Sequence, residues 1–185
     1  MTDRLETKGI TLVAHGRFEN KFLERLSNDV NVAFNTPVTV AQFHHDIALY
    51  FDPARKQYDA NRILKLVHAE YSSQNIKTMG LFQVDLFIPI LTYIFGQAEY
   101  KGNAGIASVF RLRNEQYGMQ GNERLLYERF RKVVIHELGH TFGLIHCHVP
   151  ICVMRPGTYV EDIDQKKHLF CNKCSNELDL ELVKR

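Results

Sequence analysis

Apolar and polar positions change rhythm several times along the chain, and each change predicts an element. Residues 9–14 (GITLVA) form a short, mainly apolar strand candidate. From about Glu19 to Phe34, the residues Phe22, Leu26 and Val30 recur every four positions, the repeat of an amphipathic helix. Residues 37–43 (PVTVAQF) alternate and are β-branched, predicting a second strand, and Asp52-Pro53 marks a loop. Helical spacing returns over 59–72 through Ile63, Leu64, Val67 and Tyr71, and Thr78–Phe87 reads as a third strand. Strand alternating with helix predicts crossover units and a largely parallel sheet. Two strand-like segments, 92–100 and 104–113, flank the turn residues Lys101-Gly102-Asn103 as in a hairpin, so the sheet is expected to be mixed.

A longer helix is predicted from a cap at Asn122 to about Leu144, with Glu123 in its first turn. At about 100° per residue, Phe130, Val134, Leu138 and Phe142 gather on one side, with His136 and His140 roughly opposite. After this helix, Cys, Pro, Gly and charge replace periodicity. The expected organisation is one domain over 1–185, with an N-terminal lobe of about 1–143 and a small irregular C-terminal lobe of about 144–185.

Composition narrows the options. Apolar residues make up 45% of 185 residues, enough for one sizeable core. A formal net charge of +2, with aromatics not interleaved among basic clusters, speaks against nucleic acid as a partner. The segment Leu86–Phe95 is about half the length of a membrane span and contains Pro89, so it is read as a buried strand and its flank. The N-terminus has no apolar signal core, and the chain is expected to be cytoplasmic, monomeric and free of membrane.

Residues 136–146 read His-Glu-Leu-Gly-His-Thr-Phe-Gly-Leu-Ile-His, which fits H-E-x-x-H-x-x-G-x-x-H in full. His136 and His140 lie one helical turn apart and can share one ion. Gly143 can end the helix in the left-handed conformation and bring His146 back as a third ligand. Three imidazoles leave a fourth position of tetrahedral zinc for water, the mark of a catalytic site. Glu137 is then placed to take that water's proton and later deliver one to the leaving amine. An ordinary buried helix accounts for a bare HExxH, but not for the glycine and third histidine in register.

All four cysteines lie at 147, 152, 171 and 174. Cys147-x4-Cys152 and Cys171-x2-Cys174 suit a closed structural zinc site; two disulfides are the alternative, which the lack of an export signal does not favour. Cys147 directly follows a proposed catalytic ligand, which argues against a separate recognition module.

The segment HELGHTFGLIHCHVPICVM with the later CNKC resembles the archaemetzincins, a branch of the metzincin metallopeptidases. That resemblance implies an α+β, metzincin-like fold: a mixed twisted sheet with helices, a long active-site helix and a zinc-stapled C-terminal lobe. It implies two zinc ions per chain, a peptide or protein substrate, and Met154 as the methionine beneath the catalytic metal. It also implies that the hairpin strand near Thr92–Tyr100 is the edge along which an extended peptide binds. Sixteen residues separate Met154 from Cys171, one fewer than the family spacing. The expected activity is peptide-bond hydrolysis by a metal-held water. The alternative is a zinc-stabilised peptide-binding protein without turnover. His15, His44, His45, His68, His148 and Tyr159 are read as structural or surface residues.

Overall fold

The computed structural model describes residues 8–183. In chain order its N-terminal elements are β1 (Gly9–Ala14), α1 (Asn20–Phe34), β2 (Val38–Gln42), β3 (Phe51–Asp52), β4 (Gln57–Asp59), α2 (Ala60–Tyr71) and β5 (Ile76–Phe82). They are followed by β6 (Leu86–Phe87), β7 (Gly96–Ala98), β8 (Ala104–Ser108), α3 (Glu123–Thr141), α4 (Val160–Gln165) and α5 (Asn172–Val183).

The main sheet runs β2-β1-β5-β8-β7; its first four strands are parallel and β7 alone is antiparallel. Alternation along β1 divides the sheet's two faces. Ile10 and Leu12 pack into the core shared with α1 and α3, whereas Val13 joins the core built on α2. α1 buries Leu26, Val30 and Phe34 and stops at Asn35, whose φ of 45° is left-handed. Asp59 caps α2 by accepting from the Arg62 N–H. The expected mixed sheet with flanking helices is thus present.

Four expectations are corrected. The strand predicted over Thr78–Phe87 stops at Phe82, and Leu86–Phe87 enters a separate small sheet of order β3-β4-β6. The break is fixed from a distance: Asp85 takes both Arg111 Nε (2.8 Å) and Nη2 (2.5 Å), and its carbonyl accepts from the Tyr58 N–H. The hairpin exists, but its first strand is only Gly96–Ala98. Residues before it are drawn towards the small sheet, since Ile94 bridges Leu86 and the Leu91 and Thr92 carbonyls accept from Arg55 and Gln57. The apolar stretch Leu86–Phe95 is buried at its ends, while Ile90 at its tip is 86% exposed.

The third correction concerns α3. Asn122 caps it as expected, accepting from the Leu125 N–H at 2.9 Å, and it ends at Thr141. However, α3 is buried on nearly every side rather than being amphipathic. Its polar side is covered because Arg129 forms a bidentate pair with Asp164 (2.8 and 2.6 Å) and Lys132 donates to the Ile163 carbonyl (3.0 Å). The C-terminal region is the fourth: α4 and α5 follow an irregular stretch, and Val160, Ile163, Cys174 and Leu178 belong to the same core as α1 and α3. No helix among the described residues is long and apolar enough to cross a membrane.

Candidate active site

α3 carries His136 and His140 into one cleft at helical spacing. The chain then reverses at Gly143, whose φ is +90°, and returns His146 to the same place. One ligand atom from each ring lies within 4.8 Å of the others, and the ring centroids are 4.8, 5.3 and 5.0 Å apart. The hydrogen-bond partners fix the tautomers. Nδ1 of His136 meets the Val153 carbonyl at 2.8 Å, and Nδ1 of His140 meets the Leu144 carbonyl at 2.8 Å. A carbonyl only accepts, so each Nδ1 carries the proton and each Nε2 turns a lone pair inward. Those two Nε2 atoms stand 3.2 Å apart. Two facing lone pairs without a proton repel unless a cation lies between them, so the donor set fits a metal ion. Burial lowers the pKa of all three imidazoles, which favours the neutral ligand form.

Glu137 lies beside these rings, buried, on the wall of a cavity of about 240 Å³ that also takes in His136 and His146. Burial pushes its carboxyl up to about 8, against the opposing pull of the Lys166 ammonium. A carboxyl poised near neutrality suits proton transfer. The edge strand β7 passes directly over it: a Cβ on Gly96 would come 2.7 Å from Glu137 Cγ and 2.8 Å from the Ile106 carbonyl. Beneath the histidines, Met154 is fully buried, and a Cβ on Gly139 would meet its sulfur at 2.5 Å. Met154 therefore sits against the helix between the two histidine turns.

The four cysteine sulfurs gather within 4.8 Å of one another as free thiols, with Cys147 and Cys171 Sγ 3.7 Å apart. The disulfide alternative is absent, and the short spacing from Met154 to Cys171 leaves the cluster intact. Backbone N–H groups of Val149 and Cys171 donate to Cys147 and Cys152 sulfurs, both at 3.4 Å. The Cys174 backbone N–H lowers the Cys171 thiol to about 7, while burial raises Cys152 and Cys174. Four such sulfurs, three of them buried, make a closed tetrahedral donor set.

None of the histidines set aside joins either donor cluster. His15 stacks on Phe82 and meets Phe43 edge-on, His68 pairs with Glu99 at 2.9 Å, and His45 meets the Tyr71 hydroxyl. His44, His148 and Tyr159 are exposed. One cleft residue has no sequence signal at all. Lys166 is buried, follows α4, and donates to the Val153 and Arg155 carbonyls at 3.0 and 2.7 Å. Burial lowers its ammonium to about 8. No spacing rule ties a lone lysine 20 residues past a histidine motif to that site.

Comparison with known proteins agrees with this arrangement. The profile of peptidase family M54 matches residues 22–180. The archaemetzincin of Sulfolobus acidocaldarius is 37% identical over 152 residues, 82% of this chain and 84% of its own. That of Thermococcus kodakarensis is 38% identical over 136 residues, 72% of this chain and 73% of its own. The crystal structure of archaemetzincin from Methanopyrus kandleri aligns with a TM-score of 0.82 at 28% identity, covering 97% of both chains. A zinc-dependent peptidase from Methanocorpusculum labreanum aligns at 0.80 and 30% identity, covering 92% of this chain and 100% of that one. The chain belongs to peptidase family M54, beside the archaemetzincins, and is a metallopeptidase.

Proposed function

We propose that His136, His140 and His146 hold the catalytic zinc of a peptide-bond hydrolase and that Glu137 moves its protons. Cys147, Cys152, Cys171 and Cys174 hold a second, structural zinc in the same reading. The chain is a zinc-dependent metallopeptidase whose substrates are peptides or proteins. One observation carries the residue roles: two Nδ1 atoms are committed to carbonyls while three imidazoles converge on one point beside a buried carboxylate.

A bound zinc ion supplies Lewis acidity, lowering the pKa of water to about 7 and polarising the scissile carbonyl. The rest falls to the chain. The Val153 and Leu144 carbonyls hold the His136 and His140 rings in the ligand tautomer. Gly96, lacking a side chain, lets β7 lie close over Glu137, so a peptide extending that edge has its backbone near the carboxylate. The Glu137 carboxylate accepts the proton of the attacking water and returns it to the leaving amide nitrogen. The walls of Tyr93, Phe95 and Ile163 limit bulk water around these groups.

The alternative, a peptide binder without turnover, leaves a buried glutamate with no task. We place the protein in the cytoplasm as a monomer, a reducing setting that suits the four free thiols; sedimentation tests the monomer. Its two lobes, about 1–143 and 144–185, meet at the cleft. Digestion of a mixed peptide library tests the hydrolase: new peptide ends are expected with wild type and lost with Glu137→Ala or a chelator. Retained binding without any cleavage, under every metal condition, overturns it.

A further inference from the structure

Lys166 is a buried cation with no carboxylate in contact, although Glu137 on the same cavity acts on it through space. Its residue is 3% exposed, and it follows α4 directly. An ammonium has three hydrogens to place. Two go to the Val153 and Arg155 carbonyls, at 3.0 and 2.7 Å. The next polar atom, His136 Nδ1, is 3.5 Å away and already directs its own hydrogen at Val153, so it is no acceptor. Among the described residues no carboxylate, Glu137 included, pairs with Lys166 within 4.0 Å. The cavity that Lys166 shares with Glu137 and His136 is otherwise lined largely by apolar groups such as Phe95, Val133, Pro156 and Ile163.

A full charge held in an apolar pocket with one hydrogen unplaced is costly unless something entering the pocket completes it. An anionic oxygen does so best, through a charge-assisted hydrogen bond. The position of the charge matters as well. It lies in the cavity where the substrate's reacting bond must sit, and so within reach of a neighbouring substrate group.

From this geometry we infer that Lys166 is a specificity-determining residue that receives a carboxylate of the peptide substrate. The carboxylate comes from an acidic side chain near the scissile bond or from the peptide's own C-terminus. An amide of the same shape cannot neutralise the ammonium, so glutamine and an amidated terminus are poor replacements. The inference rests on the hydrolase reading for its substrate, though not for its chemistry: the pocket selects carboxylate whether or not the peptide is cut.

The test uses the full chain loaded with zinc and hexapeptides of alanine carrying a single glutamate or glutamine at each position in turn. Free and amidated C-termini form a second pair of arms. Cleavage is followed with wild type, and binding is measured by calorimetry with the Glu137→Ala chain. At one position glutamate is expected to exceed glutamine at least tenfold in both kcat/KM and affinity, or the free terminus to exceed the amide by as much. Lys166→Met is expected to abolish that ratio while still cleaving the glutamine peptide; Lys166→Arg, which keeps the charge, is expected to restore part of it. Equal handling of all carboxylate and amide pairs, or a preference that survives Lys166→Met, overturns the inference. Carboxylate-selective binding without cleavage supports the pocket while refuting the hydrolase, and cleavage without selectivity does the reverse.

Discussion

His146 and Cys147 are adjacent in the chain, yet they belong to donor clusters with opposite characters. The imidazole cluster opens on a cavity: His136 is buried, His140 half-buried and His146 exposed. The thiol cluster is closed, with Cys147, Cys152 and Cys174 buried and backbone N–H groups on two of its sulfurs. Two of the imidazoles, His136 and His140, are held by carbonyls that fix their tautomers, whereas the thiols are held by one another and by the loop that brings them together. The Cys147 N–H donates to the Met154 carbonyl at 3.0 Å, so this loop also seats the methionine beneath the histidines. A site that turns over must keep one position for substrate; a site that staples must leave none. The same short segment serves both.

The sharpest way to break this contrast is to remove a thiol. Cys174→Ser is expected to lose the structural zinc, whose binding is worth about 10–16 kcal/mol in small zinc domains, comparable to the ~5–15 kcal/mol stability of a whole domain. The expected result is unfolding of the region after Gly143, seen as rapid proteolysis there and a fall to one zinc per chain or fewer. A resistant, fully active Cys174→Ser chain would mean the cluster is not a staple.

Next in size is Glu137→Gln. Loss of the proton carrier is expected to lower kcat by about 10²–10⁴, with both zinc ions kept and the melting temperature little changed. The opposite pattern, lost metal with activity retained by the remaining fraction, would make Glu137 structural.

Met154→Ala removes a buried side chain packed on Gly139, an expected loss of about 2–5 kcal/mol in denaturant unfolding, with the thiol cluster still loaded. Smallest is Gly143→Ala. A side chain at φ +90° costs about 1–2 kcal/mol. The strain falls on the bend that returns His146, so affinity at the histidine site is expected to weaken while the cysteine site is unaffected. Equal weakening of both would remove the distinction between them.

What was legible in the sequence is what close spacing carries. His136, His140 and Gly143 are related by helix geometry, and Asn122 by capping chemistry, so each is found where periodicity and propensity put it. The cysteine cluster was readable from residue type and pairing. Features set by distant partners were not. Nothing near Phe82 announces the strand's end, because Arg111 and Tyr58 impose it through Asp85. The all-round burial of α3 depends on Asp164 covering Arg129 from another element. The helical C-terminal end hid behind its cysteines: Cys174 and Leu178 form its buried side at a spacing of four, a repeat visible only when cysteine counts as apolar. Lys166 had no local signal, since its meaning comes wholly from the carbonyls and the cavity around it.

Stepwise metal removal addresses the central claim most directly. Zinc content, peptidase activity and melting temperature are followed together as the fully loaded chain is titrated with a chelator. One ion is expected to leave first and take activity with it, the fold remaining intact, and the second to leave only with cooperative unfolding. Simultaneous loss of both ions, or activity that outlasts the departure of the first, would contradict an open catalytic site beside a closed structural one.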